Sequence, residues 1–313
     1  MSSVKAMGGT ELMGVRINTL PSTLLNYFQI IHSRVREPLD PNKIKILVLH
    51  DLALDPENEH LKNGGWNKFD KLVFVSHWQQ EQYNIFLGVP YHVGIVLKNA
   101  IEPFEIKDIN RDPNNINLIY FSTPHRGLNI LSYVFDQISK EYDDVFLNVY
   151  SSFDLYGWDE RDKHYENLFE DLKSNPKVSY NKSVSNQEIR KILLENDILA
   201  FPSIWAETSC LVLIEAMCAG LECVHPNFAA LTETSLGLTN SYQFNEILHD
   251  HANIFKQQLI SVIESVKLKK QNGIYNKDKH NFINSKYSWS NRSQEWITLL
   301  ESLIGKSNGK VFN

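Results

Sequence analysis

Short apolar runs alternate with helix-periodic stretches through most of this chain. The runs are Phe28–His32, Ile44–His50, Lys71–Ser76 and His92–Val96, then Ile116–Phe121, Val145–Tyr150, Lys177–Tyr180, Asp197–Phe201 and Glu222–His225. Between them the 3.6-residue pattern predicts helices over Thr10–Asn26, His77–Phe86, Gly127–Lys140, Arg161–Lys173, Asn186–Glu195, Cys210–Ala219 and Ala229–Leu236. Repeated β-α units of this kind imply parallel sheets and a doubly wound α/β class. Pro, Asn and charge interrupt the pattern over Glu102–Asn115, which reads as a linker. About four strands fall before it and about five or six after it. Past Asn245 the pattern is helical almost throughout, and Trp296, Leu299 and Leu300 share one apolar face near the end. The expected domains are therefore 1–105, 106–285 and a C-terminal helix over 286–313 packing along the domain pair.

Composition narrows the partners. With 313 residues, 42% hydrophobic and 11% aromatic, the chain can build two sizeable cores. A net charge of −6 gives no broad basic footprint, which disfavours nucleic acid without excluding it. Cys210, Cys218 and Cys223 are odd in number, form no C-x-x-C and lie in apolar surroundings. A reducing, cytoplasmic location is expected. Met1–Thr10 lacks the apolar core of an export signal, and no uncharged run approaches a membrane span. Leu24, Leu25, Tyr27, Phe28 and Ile30 beside Arg34 and Arg36 leave peripheral membrane contact open, although such stretches usually face a core.

The sharpest chemistry lies around Glu207 and Glu215, which have seven residues between them. Glu215 stands among Leu211, Val212, Leu213, Ile214, Ala216 and Met217, where an unpartnered charge would be costly. Either an internal Arg or Lys meets it, or the hydroxyls of a ligand do. Strand, loop, then helix is also the arrangement that aims backbone N–H groups at a phosphate. Thr208 and Ser209 stand at that point, and helix capping would account for them equally well.

Several separated motifs resemble the retaining glycosyltransferases of the GT-B fold, family four in particular. Phe201–Gly220 contains their E-x7-E element as Glu207 and Glu215. Leu118–Leu131 looks like the first strand, phosphate loop and helix of the C-terminal domain, and Val73–Ser76 and Val96–Ile101 look like two segments that close the N-terminal one. Gly8-Gly9-Thr10-Glu11 resembles the glycine loop that faces the donor phosphates, and Tyr287-Ser-Trp-Ser resembles the start of the final helix.

The resemblance implies two Rossmann-like domains facing a central cleft, with the N-terminal domain abbreviated. It implies that Glu215 binds ribose hydroxyls, that Glu207 contacts the transferred sugar, and that Thr208, Ser209, Thr123, Gly8 and Gly9 lie at the donor diphosphate. Arg126 matches the basic residue that neutralises that diphosphate, and His50, at the end of the Ile44–Leu49 run, matches a histidine near the reacting sugar. The family pattern often carries a second basic residue just upstream, where this chain has Ser122, Thr123 and Pro124. The histidines show no metal spacing, so no cofactor is required beyond a nucleoside-diphosphate sugar as donor. The implied activity is hexosyl transfer to a hydroxyl acceptor, carbohydrate first among the candidates. A nucleotide-sugar epimerase and a non-catalytic sugar-nucleotide-binding subunit stand as alternatives.

Overall fold

The computed structural model describes residues 7–310, with side chains as far as residue 305. The reading of the first six residues as free of an export signal lies outside the described residues. Two compact units emerge. Among the described residues, one comprises Gly9–Pro103, Glu207–Ser209 and residues 285–310; the other comprises residues 7–8, Phe104–Ala206 and Cys210–Asn284.

The first unit runs α1 (Gly9–Ile17), α2 (Ser22–Leu25), β1 (Phe28–His32), β2 (Ile44–Leu49), β3 (Lys71–Phe74), α3 (His77–Leu87) and β4 (Gly94–Val96). Its strands form one parallel sheet in the order β1-β2-β3-β4. Successive residues of β2 leave on opposite sides, as strand geometry requires. Ile46 and Val48 pack with Ile17, Leu20, Phe28 and Val73. Leu47 and Leu49 pack with Leu72, Phe74, Tyr83 and Leu87. Burial on both faces is why β2 reads as an unbroken apolar run. Trp296, Leu299 and Leu300 of the last helix join the Ile46 side of this core.

The single helix expected over Thr10–Asn26 is broken. Pro21 stands between α1 and α2, and a proline removes a helical donor and pushes the residue before it out of the helical region.

The second unit contains β5 (Ile116–Tyr120), α4 (Leu128–Glu141), β6 (Val145–Tyr150), α5 (Glu166–Ser174), β7 (Val178–Asn181), α6 (Asn186–Leu193), β8 (Ile198–Ala200), α7 (Leu211–Cys218), β9 (Glu222–Pro226), α8 (Leu231–Thr234), β10 (Asn240–Tyr242) and α9 (Leu248–Gln271). Helices α10 (Lys277–Tyr287) and α11 (Trp289–Lys310) end the chain. Leu128, Leu131, Val134, Phe135 and Ile138 give α4 a buried stripe at helical spacing. Truncating one of them, as in Leu131→Ala, removes buried volume and costs about 2–5 kcal/mol.

Two expectations are corrected here. The helix predicted from Arg161 begins later: Asp159–Tyr165 is a 3-10 segment and α5 starts at Glu166. The first buried apolar residues of α5 are Phe169 and Leu172, so nothing earlier holds an α-helical face against the sheet. Strand β10 was not anticipated, because Asn240-Ser241-Tyr242 is short and mostly polar and owes its strand form to pairing with β9.

Strand order in this sheet is β10-β9-β8-β5-β6-β7, all parallel. The chain leaves β5 towards β6 and β7, then returns to place β8 on the other side of β5. Strand order therefore reverses between β5 and β8, and open α/β sheets bind ligands beyond the C-terminal ends of strands at such a reversal.

Candidate functional site

The loop that follows β5 stands at this reversal. Tyr120 is fully buried and its hydroxyl donates to the Thr123 carbonyl at 2.9 Å, turning the chain back at once. Pro124–Arg126 forms a 3-10 turn in which the Arg126 N–H donates to the same carbonyl at 3.2 Å. Gly127 follows with φ +98°, and α4 begins at the next residue. A side chain here would meet the neighbouring loop directly: a Cβ on Gly127 would lie 2.1 Å from the Pro202 carbonyl oxygen. The absence of that Cβ lets the loops after β5 and β8 touch.

Within this loop Arg126 Nη1 donates to Ser122 Oγ at 3.3 Å, and Thr123 is buried with its Oγ1 lacking a hydrogen-bond partner. His125 lies flat on Phe153 at 5.3 Å and edge-on to Trp205 at 4.9 Å. It thereby joins the loops after β5, β6 and β8. Burial first, then the charges of Arg126 and Arg161, pushes the His125 pKa down to about 4, so the ring is neutral near pH 7.

Glu215 is buried in α7, whose Leu213, Ile214, Ala216 and Met217 are buried with it. Burial, and then the Glu215 charge, pushes the Cys218 thiol up, while Arg190 pulls the other way. Arg190 therefore stands in the same neighbourhood as Glu215, with its guanidinium 3.8 Å over the Phe104 ring. Helix α7 starts at Leu211, so its cap position falls to Cys210, whose side chain does not cap the helix. Neither Thr208 nor Ser209 caps this helix.

Glu207, Thr208 and Ser209 are counted with the first unit. Thr208 Oγ1 donates to the His50 carbonyl at 2.7 Å, and Ser76 Oγ donates to the Thr208 carbonyl at 2.7 Å. Ser76 also caps α3 by accepting from the Gln79 N–H at 3.0 Å. His50 follows β2, and burial, then the neighbouring His32, depresses its pKa to about 3. Glu207 is buried. Gly9 is the first residue of α1, and the buried Gly8 precedes it on the other side of the unit division. The structure thus gathers Ser122, Thr123 and Arg126 in one loop whose Gly127 lies against Pro202 in one unit, and Thr208 against His50 and Ser76 in the other.

Sequence reasoning missed three features: the approach of Gly127 to Pro202, the aromatic contacts of His125, and a second histidine, His32, stacked on His50. His32 carried the same signal as His50, since it ends an apolar run. Among the described residues no three His, Cys, Asp or Glu side chains gather as a metal site would require. No helix among them is long and apolar enough to cross a membrane.

Residues 103–234 match the family described as Glycosyl transferases group 1. Over that stretch the chain is similar to group 1 glycosyltransferases, and the fold of the chain is GT-B. No curated protein sequence matches it. Among solved structures, this chain is similar to a sucrose-phosphate synthase from Thermosynechococcus elongatus, with 13% identity and a TM-score of 0.64 over 85% of this chain and 69% of the other. Anabaena HepE in complex with UDP-glucose gives 17% identity and 0.62 over 83% and 72%. A glycosyltransferase from Rickettsia africae gives 12% and 0.66 over 95% and 80%. At such identities the structures speak for the fold.

Proposed function

We propose that this enzyme is a retaining hexosyltransferase that moves a hexosyl group from a nucleoside-diphosphate sugar to the hydroxyl of a carbohydrate acceptor. One observation carries the reading: at the strand-order reversal, Arg126 and the start of α4 flank a glycine lying against Pro202. A helix start offers unpaired N–H groups and partial positive charge, and a guanidinium adds a full one, which together suit a diphosphate. HepE, solved with UDP-glucose, supports the same donor class.

In this reading the anomeric C–O bond to the diphosphate breaks while the acceptor oxygen bonds to the same face of that carbon. The acceptor proton passes to an oxygen of the departing diphosphate. Negative charge grows on the leaving group, where a fixed donor is worth about 2.7–4 kcal/mol. Arg126 and Thr123 hold the diphosphate, with Thr208 and Ser209 contributing backbone N–H groups and Gly8 and Gly9 facing it. Glu215 takes the ribose hydroxyls, Glu207 the transferred sugar, and His50 stands beside the reacting sugar. The three cysteines are buried and form no disulfide, which suits a reducing compartment, and a cytoplasmic location is part of the proposal.

Thermal-shift measurements with uridine, guanosine and adenosine diphosphates identify the donor base, because a ligand stabilises in proportion to the logarithm of its excess over Kd. Acceptor-dependent release of the nucleoside diphosphate then tests transfer. Glu215→Ala is expected to weaken donor binding, and Arg126→Ala to depress turnover about 100-fold or more. Isomerised donor without acceptor would indicate an epimerase, and binding without turnover a non-catalytic subunit. Unchanged donor affinity and turnover in both variants would remove the site assignment.

A further inference from the structure

His32 and His50 stand at the C-terminal ends of β1 and β2, the edge at which an open parallel sheet binds ligands. His32 pairs in register with Val48, two residues before His50, so both rings leave the sheet on one side. They stack with centroids 6.0 Å apart and planes 22° from parallel. In each ring one nitrogen is enclosed without a hydrogen-bond partner, Nδ1 in His32 and Nε2 in His50.

That enclosure fixes the tautomer. Burial depresses both pKa values, that of His50 to about 3, so each ring is neutral and carries one proton. An enclosed N–H without an acceptor is rarer and costlier than an enclosed lone pair. The protons therefore sit on His32 Nε2 and His50 Nδ1, which are not enclosed.

Two backbone features keep His32 Nε2 open. Gly14 lies inside α1, where glycine costs helix stability relative to alanine and no positive φ demands it. A Cβ at Gly14 would touch His32 at Nε2 and Cδ2, both at 3.7 Å, and any longer side chain would cover that edge. Directly after His32, Ser33 adopts φ +57°, unfavourable for a residue with a side chain, while its N–H bonds the Val48 carbonyl at 2.8 Å. The strained turn ends β1 so that the ring stays at the sheet edge.

We propose that His32 is a sugar-reading residue working beside His50, the two outward N–H groups donating to hydroxyl oxygens of a neutral sugar ring. This rests on the glycosyltransferase reading above and adds a residue and a ligand class to it. A charged ligand fits poorly, because neither ring carries charge and the nearby cation Arg34 is already opposed. Its guanidinium lies 3.5 Å from Asp51, 3.5 Å from Asp55 and 3.8 Å from Glu57. The ring recognised is either the hexose of the donor or an acceptor sugar.

The test compares the full chain with His32→Phe, His32→Gln and Gly14→Met. One arm measures how much tighter the glucose conjugate binds than the preferred nucleoside diphosphate alone. The other measures methyl α-glucoside by saturation-transfer NMR with that diphosphate present, with glucose 6-phosphate as the anionic control. His32→Phe and Gly14→Met should each weaken one arm roughly three- to tenfold, the worth of a neutral hydrogen bond, with diphosphate affinity unchanged. His32→Gln, which keeps an N–H donor, should recover part of the loss. Loss in the first arm identifies the donor hexose, and loss in the second the acceptor. Equal sugar binding in all variants, no sugar contribution in the wild type, or preference for glucose 6-phosphate overturns the proposal. A chain that binds no nucleoside diphosphate would instead defeat the donor reading itself.

Discussion

Replacing Gly127 with alanine should separate the loops after β5 and β8 and weaken donor binding. Two costs add. A residue with a side chain held at φ +98° bears about 1–2 kcal/mol of backbone strain. Its Cβ would also stand 2.1 Å from the Pro202 carbonyl oxygen, so one loop must retreat by about 1 Å, an overpacking cost of about 1–3 kcal/mol. The sum is roughly 2–5 kcal/mol. Gly237 supplies the control, since its φ is +69° and a Cβ there would meet nothing within 4 Å. Gly237→Ala should show only the strain. Thermal midpoints of the two variants, with nucleoside diphosphate titrations of each, separate the contributions. A Gly127→Ala protein no less stable than Gly237→Ala, with wild-type donor affinity, would refute the claim that this close approach builds the site.

Two further outcomes follow from the buried groups. His50, His125 and His225 have folded pKa values of about 3, 4 and 4, below the ordinary 6.5. The unfolded chain therefore takes up protons first, and stability should fall as pH drops from about 6.5 towards 4; a thermal midpoint flat across that window contradicts this. Thr123→Val removes a hydroxyl that bonds to nothing in the protein, so the midpoint should hold within about 0.5 kcal/mol while diphosphate affinity drops roughly three- to tenfold. Equal affinity in the two proteins would take Thr123 out of the site.

Strand positions were legible where burial on both faces made the pattern continuous, as in Ile46, Leu47, Val48 and Leu49, all almost fully enclosed. Asn240–Tyr242 was not, because a short polar strand takes its conformation from β9 beside it. Glu215 could be read as buried from its apolar neighbours along the chain, and it is buried. The cap role considered for Thr208 could not be settled that way. Its hydroxyl goes to the His50 carbonyl, 158 residues away in sequence.

The sequence alone determined that the chain forms two parallel sheets and that two glutamates bracket the start of a covered helix, since side-chain period and local composition act over a few residues. Tertiary structure decided which strand ends meet across the chain: Gly127 with Pro202, and His32 with His50 over an open glycine. Those contacts depend on strand order and register, set by the packing of whole sheets, and no local run of residues encodes them.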